Sequence, residues 1–423
     1  MLSKIIKAIR LKDIRNKILI VALILLFFRI LANIPIPGVD QQALSNFFSS
    51  NQLFGFLNIF SGGALQNLSI AMLGLSPYIT AIIIMQLLTM VFPGLKAMYY
   101  EEGEQGKAKF NRISRYLTVP LGAMQGFGFM KLLASQGVVP NFTMTEILVN
   151  VTIIVAGSMV LVWLGELIDE QKIGNGISIL IMAGILSGLP IAVRNALVSY
   201  TPSDLITYGS FIALTLVVIA SIVMINEGER KVPISYARRV RGNKLYGGVS
   251  SYLPFRVGQA GVIPIIFAIS LLIFPQFFGQ IISIVSADFG AKVNEFTANF
   301  MNNQLMYGSI YFLLVFIFTY FYIGITFDPE EISKNLQRSG GFIPGIRPGH
   351  PTATYLKSVV ARVTLFGATF LGLIAILPLL VQTLTGTQAL TIGGTSILIT
   401  VAVALDMAKQ IDSQVTVREY EGA

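Results

Sequence analysis

From Ile30 to Leu95 the chain carries a single charged side chain, Asp40. A stretch of that length cannot cover itself with water-facing groups, so it belongs inside a bilayer. Its middle, however, is neither continuous nor greasy: Asn58, Ser61, Gln66, Asn67 and Ser69 surround the pair Gly62 and Gly63. Polar or non-helical backbone survives at membrane depth only where protein or a water-filled cavity receives it. As a helix, Asn58 to Ile70 rises roughly 20 Å against about 30 Å of hydrocarbon, which predicts a half-helix over 58–70 followed by a full span from Leu73 to Phe92. Such a pairing suggests a pore with something small standing in it.

With 54% hydrophobic and 12% charged residues among 423, the chain has too few charges for a soluble globule and reads as a polytopic membrane protein. It has no cysteine and one histidine, His350, which excludes a disulfide framework, a thiolate site and a histidine cluster for metal. Further apolar runs follow the first at Lys17–Ile34 and the second at Leu73–Phe92: Tyr116–Ala134, Ile147–Ile168, Gly174–Ala192, Leu205–Ile225, Val257–Val285, Leu305–Phe327, Ser358–Val381 and Leu390–Ala408. Ten spans put both ends on one side. Of the 30 Lys and Arg, 26 fall on that side, leaving Arg29, Lys131, Arg194 and Lys292 for the other. The positive-inside rule makes that side, and both termini, cytoplasmic. The basic amino-terminal arm lacks an A-x-A-like cleavage site and precedes many more spans, so the first span is expected to be retained.

The expected fold class is all-α, with ten transmembrane helices in two inverted five-helix halves and a half-helix plug after the first span. The halves are residues 1–200, spans one to five, and 201–423, spans six to ten. The net charge of +9 collects on the cytoplasmic face, available to anionic lipids, nucleic acid or an acidic protein. Two basic cytoplasmic connections stand out, at about 226–256 and 328–357. In the first, Val232, Ile234 and Tyr236 precede Gly242-Asn243, and Leu245, Val249 and Tyr252 follow it, an alternation that predicts a β-hairpin. Arg238, Arg239, Arg241 and Lys244 crowd its tip. In the second, Pro344, Pro348 and Pro351 with Gly340, Gly341, Gly345 and Gly349 predict a stiffened series of turns that holds Arg347 in a defined place.

Several chemistries are missing. The nearest approach to a nucleotide-binding loop, Gly103 to Ala108, has neither the spacing nor the hydroxyl of a Walker motif. Glu166 and Asp406 fall near the ends of their spans and Glu146 at a boundary, leaving no midplane carboxylate to relay protons. His350 has no evident nucleophile beside it. No cofactor and no catalytic residue are expected. A channel, a carrier built on inverted repeats and an assembly scaffold without a pore stay open on these grounds.

The run NIFSGGALQNLSIAMLGLSPYITAIIIMQLL from Asn58, with GNGISILI at Gly174–Ile181, GVIPIIFAIS at Gly261–Ser270, FIPGIRPG at Phe342–Gly349 and GGTSILI at Gly393–Ile399, resembles the SecY family. These are the central subunits of the bacterial protein-translocation channel, and the likeness runs in order through the whole chain. It implies a passive, non-enzymatic channel that passes unfolded secretory polypeptides across the cytoplasmic membrane and releases membrane segments sideways into lipid. The implied plug includes Ile59, Phe60, Ser61, Gly62, Gly63, Ala64 and Leu65. A ring of aliphatic side chains closing the pore is implied at Leu75, Ile79, Ile177, Ile181, Ile266 and Ile399. Branched aliphatic walls bind no ion and close a pore by dewetting.

A lateral gate is implied along Ser76, Thr80, Ile83 and Ser270, where small hydroxyls would give weak helix contacts. The basic loops match the family's docking sites for the ribosome, through ribosomal RNA, and for the SecA motor, which would hydrolyse ATP. Arg238, Arg239, Arg241, Lys244 and Arg347 are the implied contacts. SecE, SecG, signal sequences, nascent polypeptides and anionic lipids complete the implied partners.

Overall fold

The computed structural model describes residues 11–36, 64–65, 67–135, 137–138, 143–198, 205–236, 239–241, 244–246, 250–385 and 394–421. In chain order the helices begin with α1 (Lys12–Leu31), α2 (Ser76–Val91), α3 (Pro93–Tyr100), α4 (Gly103–Ser135), α5 (Met144–Glu170), α6 (Gly176–Val198) and α7 (Leu205–Glu227). Strands β1 (Glu229–Tyr236), β2 (Arg239–Arg241), β3 (Lys244–Tyr246) and β4 (Ser250–Arg256) follow. Then come α8 (Ile263–Val285), α9 (Ala287–Asn302), α10 (Gln304–Thr326), α11 (Pro329–Arg338), β5 (Gly341–Phe342), α12 (His350–Thr385) and α13 (Gly394–Glu421).

The described part of each of the ten predicted apolar runs lies mostly in one of these helices, although α8 begins six residues into the seventh run. Hydrocarbon offers the backbone no partner but itself, so an apolar run there becomes a helix even across Pro120, Pro190, Pro275 and Pro378. Among the described residues, four stretches, within Met144–Glu170, Tyr208–Glu227, Gln304–Arg338 and His350–Val381, are long and apolar enough to cross a membrane. Taken as one span, α2 and α3, bent by 116°, make a fifth. The bend follows from Pro93, which confines Phe92 to extended backbone (φ −106°, ψ 107°). Helix α1 buries Ile14, Val21 and Phe28, seven residues apart, and exposes Leu19, Leu23, Leu26 and Ile30 on other faces. A helix apolar on its exposed side belongs in lipid. The chain is a multi-pass membrane protein.

Packing divides the chain into two compact units. The first comprises Met1–Asp204, Ile269–Gln304 and Ile399–Ala423, the second Leu205–Ala268 and Leu305–Leu398. In the first, α4 runs between α2 and α5, with Pro77 and Val155 packed over Gly122 and Leu73 and Ile154 over Gly126. The charged end of α4 is tied to α5 by Arg115, whose Nη1 donates to Glu166 Oε2 at 2.7 Å. The two ends of the chain meet here as well: Ile14 packs on Val415, and Asp13 pairs with Arg418 at 3.1 Å. In the second unit, α10 lays Phe312 over Gly372 of α12, while Phe318 stands edge-on to Phe267 with ring centroids 5.9 Å apart.

Two expectations need correction. The described part of the segment predicted as a half-helix, residues 64, 65 and 67–70, is a series of turns rather than a helix. Leu68 takes a left-handed backbone (φ 39°), and the strand-like bridge Pro35↔Ser69 draws the chain away from helical pairing. The second basic connection is likewise more ordered than a run of turns. Asp328 caps α11 by accepting from the backbone of Glu330 and Glu331, and α12 begins at His350, eight residues before the predicted span.

The hairpin forms, but Tyr252 departs from the predicted alternation: it pairs with Pro233, on the face opposite Val232 and Ile234, and is exposed. Pairs Val232↔Leu253 and Ile234↔Ser251 in one ladder and Arg239↔Tyr246 and Arg241↔Lys244 in the other share one alignment, and the turn expected at Gly242-Asn243 lies outside the described residues. A third strand was not expected: β5 pairs with Ser235 and Tyr236 of β1, giving the order β4-β1-β5. Because β5 is only two residues long, Pro233 lies where β1 still has an open side.

Candidate functional site

The segment entering α2 is built by backbone bonds to the far end of α1. Ile36 N donates to Leu68 O at 2.8 Å and Ile70 N donates to Ile34 O at 3.0 Å. Asn67 Nδ2 adds a bond to Asn33 Oδ1 at 3.2 Å. Of the candidate plug residues, Ala64 and Leu65 are buried in these turns; Ile59, Phe60, Ser61, Gly62 and Gly63 lie outside the described residues. The described part is thus firmly held. It also needs Gly157 on α5, because a Cβ there would collide with the Ile70 carbonyl.

Leu75 is the residue just before α2, and its carbonyl accepts from Ile79 N at 3.0 Å. Both side chains are buried. Ile177 and Ile181 lie on the first turns of α6, and the GNGIS motif explains how they are seated. Asn175 caps α6 by accepting from Ser178 N at 3.0 Å, and Asp169 Oδ1 accepts from Gly176 N at 2.7 Å. Gly176 lies so close to the Gly165 carbonyl that no side chain fits. Ile177 Cγ1 in turn lies 3.4 Å from where a Cβ on Gly165 would be. Two glycines thereby bring α5 and α6 together with Ile177 beside the crossing. Ile399, on α13, is buried in the first unit. Ile266, on α8, is buried in the second, one residue from the Phe267 ring that meets Phe318.

Among the candidate gate residues, Ser76 and Ser270 are half-buried and Ile83 is buried. Thr80 is engaged within the first unit. Its hydroxyl donates to Ser76 O at 2.9 Å and accepts from Gln125 Nε2 of α4 at 3.4 Å. Gln125 was missed from the sequence. A lone amide in the apolar stretch Thr118–Phe129 is the signal that points to a buried partner.

On the second unit, Arg239, Arg241 and Lys244 occupy the strands flanking the hairpin tip, whereas Arg238 lies outside the described residues. Nearer the membrane end, Lys231 Nζ lies 3.1 Å from Glu229 Oε1 and 4.8 Å above the Tyr252 ring. The bond to Glu229 first, and the Tyr252 hydroxyl second, hold its ammonium above the ordinary pKa. Arg347 is exposed on a strapped turn. Its carbonyl accepts from Thr352 Oγ1 at 2.8 Å, and Gly349 O accepts from Ser333 Oγ at 2.7 Å. The sheet fixes this turn relative to the hairpin, since β5 leads into it. Gly341 makes the pairing possible, with Tyr236 Cε1 only 3.1 Å from where a Cβ would sit. Among the described residues no group of acidic, histidine or cysteine side chains could hold a metal ion.

A sequence model of SecY matches residues 69–408. The protein translocase subunit SecY of Mycobacterium bovis is 40% identical over 442 positions, spanning 100% of this chain and 99% of that protein. The chain belongs to the SecY family. A second SecY, from Streptomyces scabiei, is 41% identical over 445 positions with 100% and 99% covered. Among solved structures, one described as a protein-conducting channel aligns with a TM-score of 0.67 at 18% identity, over 96% of this chain and 93% of that one. A SecY whose plug domain stabilises the closed state of the translocation channel aligns at 0.64 with 18% identity, covering 95% and 92%. These likenesses establish a SecY fold.

Proposed function

We propose that this chain is the protein-conducting subunit of a translocase, passing unfolded polypeptides through a pore with an aliphatic waist. The observation that carries the reading is the end-to-end likeness, at about two identical positions in five, to protein translocase subunit SecY from two bacteria. The waist is assigned to Leu75, Ile79, Ile177, Ile181, Ile266 and Ile399. Aliphatic side chains repel water and ions from a narrow opening yet part around almost any passenger. The stopper is assigned to Ile59–Leu65 and the sideways exit to Ser76, Thr80, Ile83 and Ser270. Ten crossings in two inverted halves, with both termini cytoplasmic, place the basic sheet and the Arg347 turn on the side from which passengers arrive.

There, Arg239, Arg241, Lys244 and Arg347, with Arg238, suit polyanionic ribosomal RNA or an acidic motor surface. SecA supplies ATP hydrolysis, and SecE and SecG are the small partner subunits. Passengers bring signal sequences whose apolar length favours exit into lipid. Crosslinkers placed at Ile79 and Ile266, with a secretory chain stalled in transit, test the reading. The expected result is adducts from both positions to the stalled chain and none without it. Adducts only from lipid-exposed positions such as Leu23 would overturn it.

A further inference from the structure

Helix α9 divides its surface into three sectors. At about 100° per residue, Asp288, Lys292 and Glu295 fall on one side, Phe289 and Phe296 on the next, and Gly290, Asn294 and Thr297 on the third. The third sector is the packed one: Gly290 and Thr297 are buried, and Gly279 of α8 leaves the space that the Asn294 side chain fills. The charged sector is exposed. So are the two phenyl rings, at 56% and 67%. Phe289 and Phe296 lie two turns apart, so both project from one flank.

The position of α9 says what covers those rings. Only Ser286 separates it from α8, and only Asn303 separates it from α10, a helix long and apolar enough to cross the membrane. The first turn of α10 exposes Leu305 at 85% and Met306 at 42%, surface that only hydrocarbon covers well. With one residue between them, α9 ends at the level where the α10 span enters the bilayer.

We propose that α9 is a membrane-surface anchor, lying along the boundary with Phe289 and Phe296 dipped into the acyl region and Asp288, Lys292 and Glu295 turned to headgroups and water. An amphipathic helix with a bulky apolar flank and a charged neighbouring face binds an interface in this way. With two carboxylates and one ammonium on the charged face, ring burial rather than attraction to anionic lipid holds it. The inference rests on the multi-pass topology and does not require the channel reading.

The chain has no cysteine, so single cysteines can be placed at 288, 289, 295 and 296 in the full chain and spin-labelled. All four side chains are exposed, which makes the replacements mild. In nanodiscs of phosphatidylcholine and phosphatidylglycerol, the labels are challenged with oxygen, which concentrates in lipid, and with a water-soluble nickel chelate. The expected oxygen-to-nickel collision ratio is severalfold higher at 289 and 296 than at 288 and 295. Equal ratios at all four positions, favouring nickel, would show a helix standing in water and overturn the proposal. Labels at 289 and 296 shielded from both reagents would show a protein partner on that flank and overturn it equally.

Discussion

Two glycine-rich turns carry key parts of this molecule, and they use glycine for opposite reasons. Before α6, Gly174 and Gly176 answer to space. A Cβ on Gly174 would stand 2.9 Å from Ile179 Cδ1 and 3.1 Å from Met407 Cγ of α13, and one on Gly176 would overlap the Gly165 carbonyl. In the turn that presents Arg347, Gly340, Gly345 and Gly349 answer to backbone sign. Their φ angles are 72°, 81° and 97°, and nothing lies within 4 Å of a Cβ at Gly340 or Gly345. Glycine at a close approach protects packing between helices, whereas glycine at positive φ protects only the course of the chain. The first turn seats an aliphatic side chain against α5; the second holds a cation out toward solvent.

If the distinction is right, the largest loss of stability comes from Gly176→Ala. Its methyl group would meet a backbone oxygen and the Ile168 Cβ at 3.0 Å, neither of which can swing aside as a flexible side chain would. Overpacking costs about 1–3 kcal/mol where the surroundings can yield, and here they yield little. The expected outcome is a clearly lowered unfolding temperature for the purified protein in detergent. A variant that melts with the parent would mean that α5 and α6 do not cross at backbone contact.

Gly345→Ala comes next. The left-handed conformation costs an L residue about 1–2 kcal/mol, and asparagine tolerates it better. Limited proteolysis between Ser339 and Gly349 is expected to speed up for the alanine variant and to return most of the way for Gly345→Asn, with global melting changed less than by Gly176→Ala. Equal behaviour of the two variants would break the assignment of backbone sign as the cause.

The same contrast explains what the sequence could disclose. The hairpin was legible because alternation is local, although Tyr252, named with that alternation, lies on the other face. Helix positions were legible because twenty apolar residues in lipid have few alternatives. Pairings distant in the chain were not. Nothing local in Leu68–Ile70 announces that its backbone groups bond to Ile34 and Ile36. Gly341 and Phe342 form too short a strand to declare itself, and Thr80 gave no sign of Gln125. In the turn before α6, glycine spacing marked a motif, but only the structure separates a crowded glycine from a left-handed one.

Lys172 tests the rule from the other side, because it takes positive φ (56°) without being glycine. Its conformation is held from outside: Lys172 O accepts from Gln414 Nε2, and Gln414 Oε1 accepts from Lys17 Nζ at 3.1 Å, so α13 and α1 both grip the turn. Lys172→Gly should relieve about 1 kcal/mol of backbone strain and give back about 0.4–1 kcal/mol through a freer unfolded chain. The expected outcome is a melting temperature equal to the parent's or slightly raised. A clear fall would show that the lysine side chain itself, rather than the bond to its carbonyl, holds the turn.

Arg347→Glu has the smallest expected effect on stability, within about 0.5 kcal/mol, as for exposed positions generally. Both bonds that brace the turn use backbone carbonyls, at Arg347 and Gly349, and survive a change of side chain. Under the proposed docking role, the same change reverses the charge offered to the motor. SecA-driven transport into vesicles should therefore fall at least tenfold while the melting temperature stays with the parent. Gly345→Ala, by contrast, should lower transport only as far as it loosens the turn, so the two variants separate the stand from the charge it holds. Transport undiminished by Arg347→Glu would leave the turn rigid for a reason other than docking.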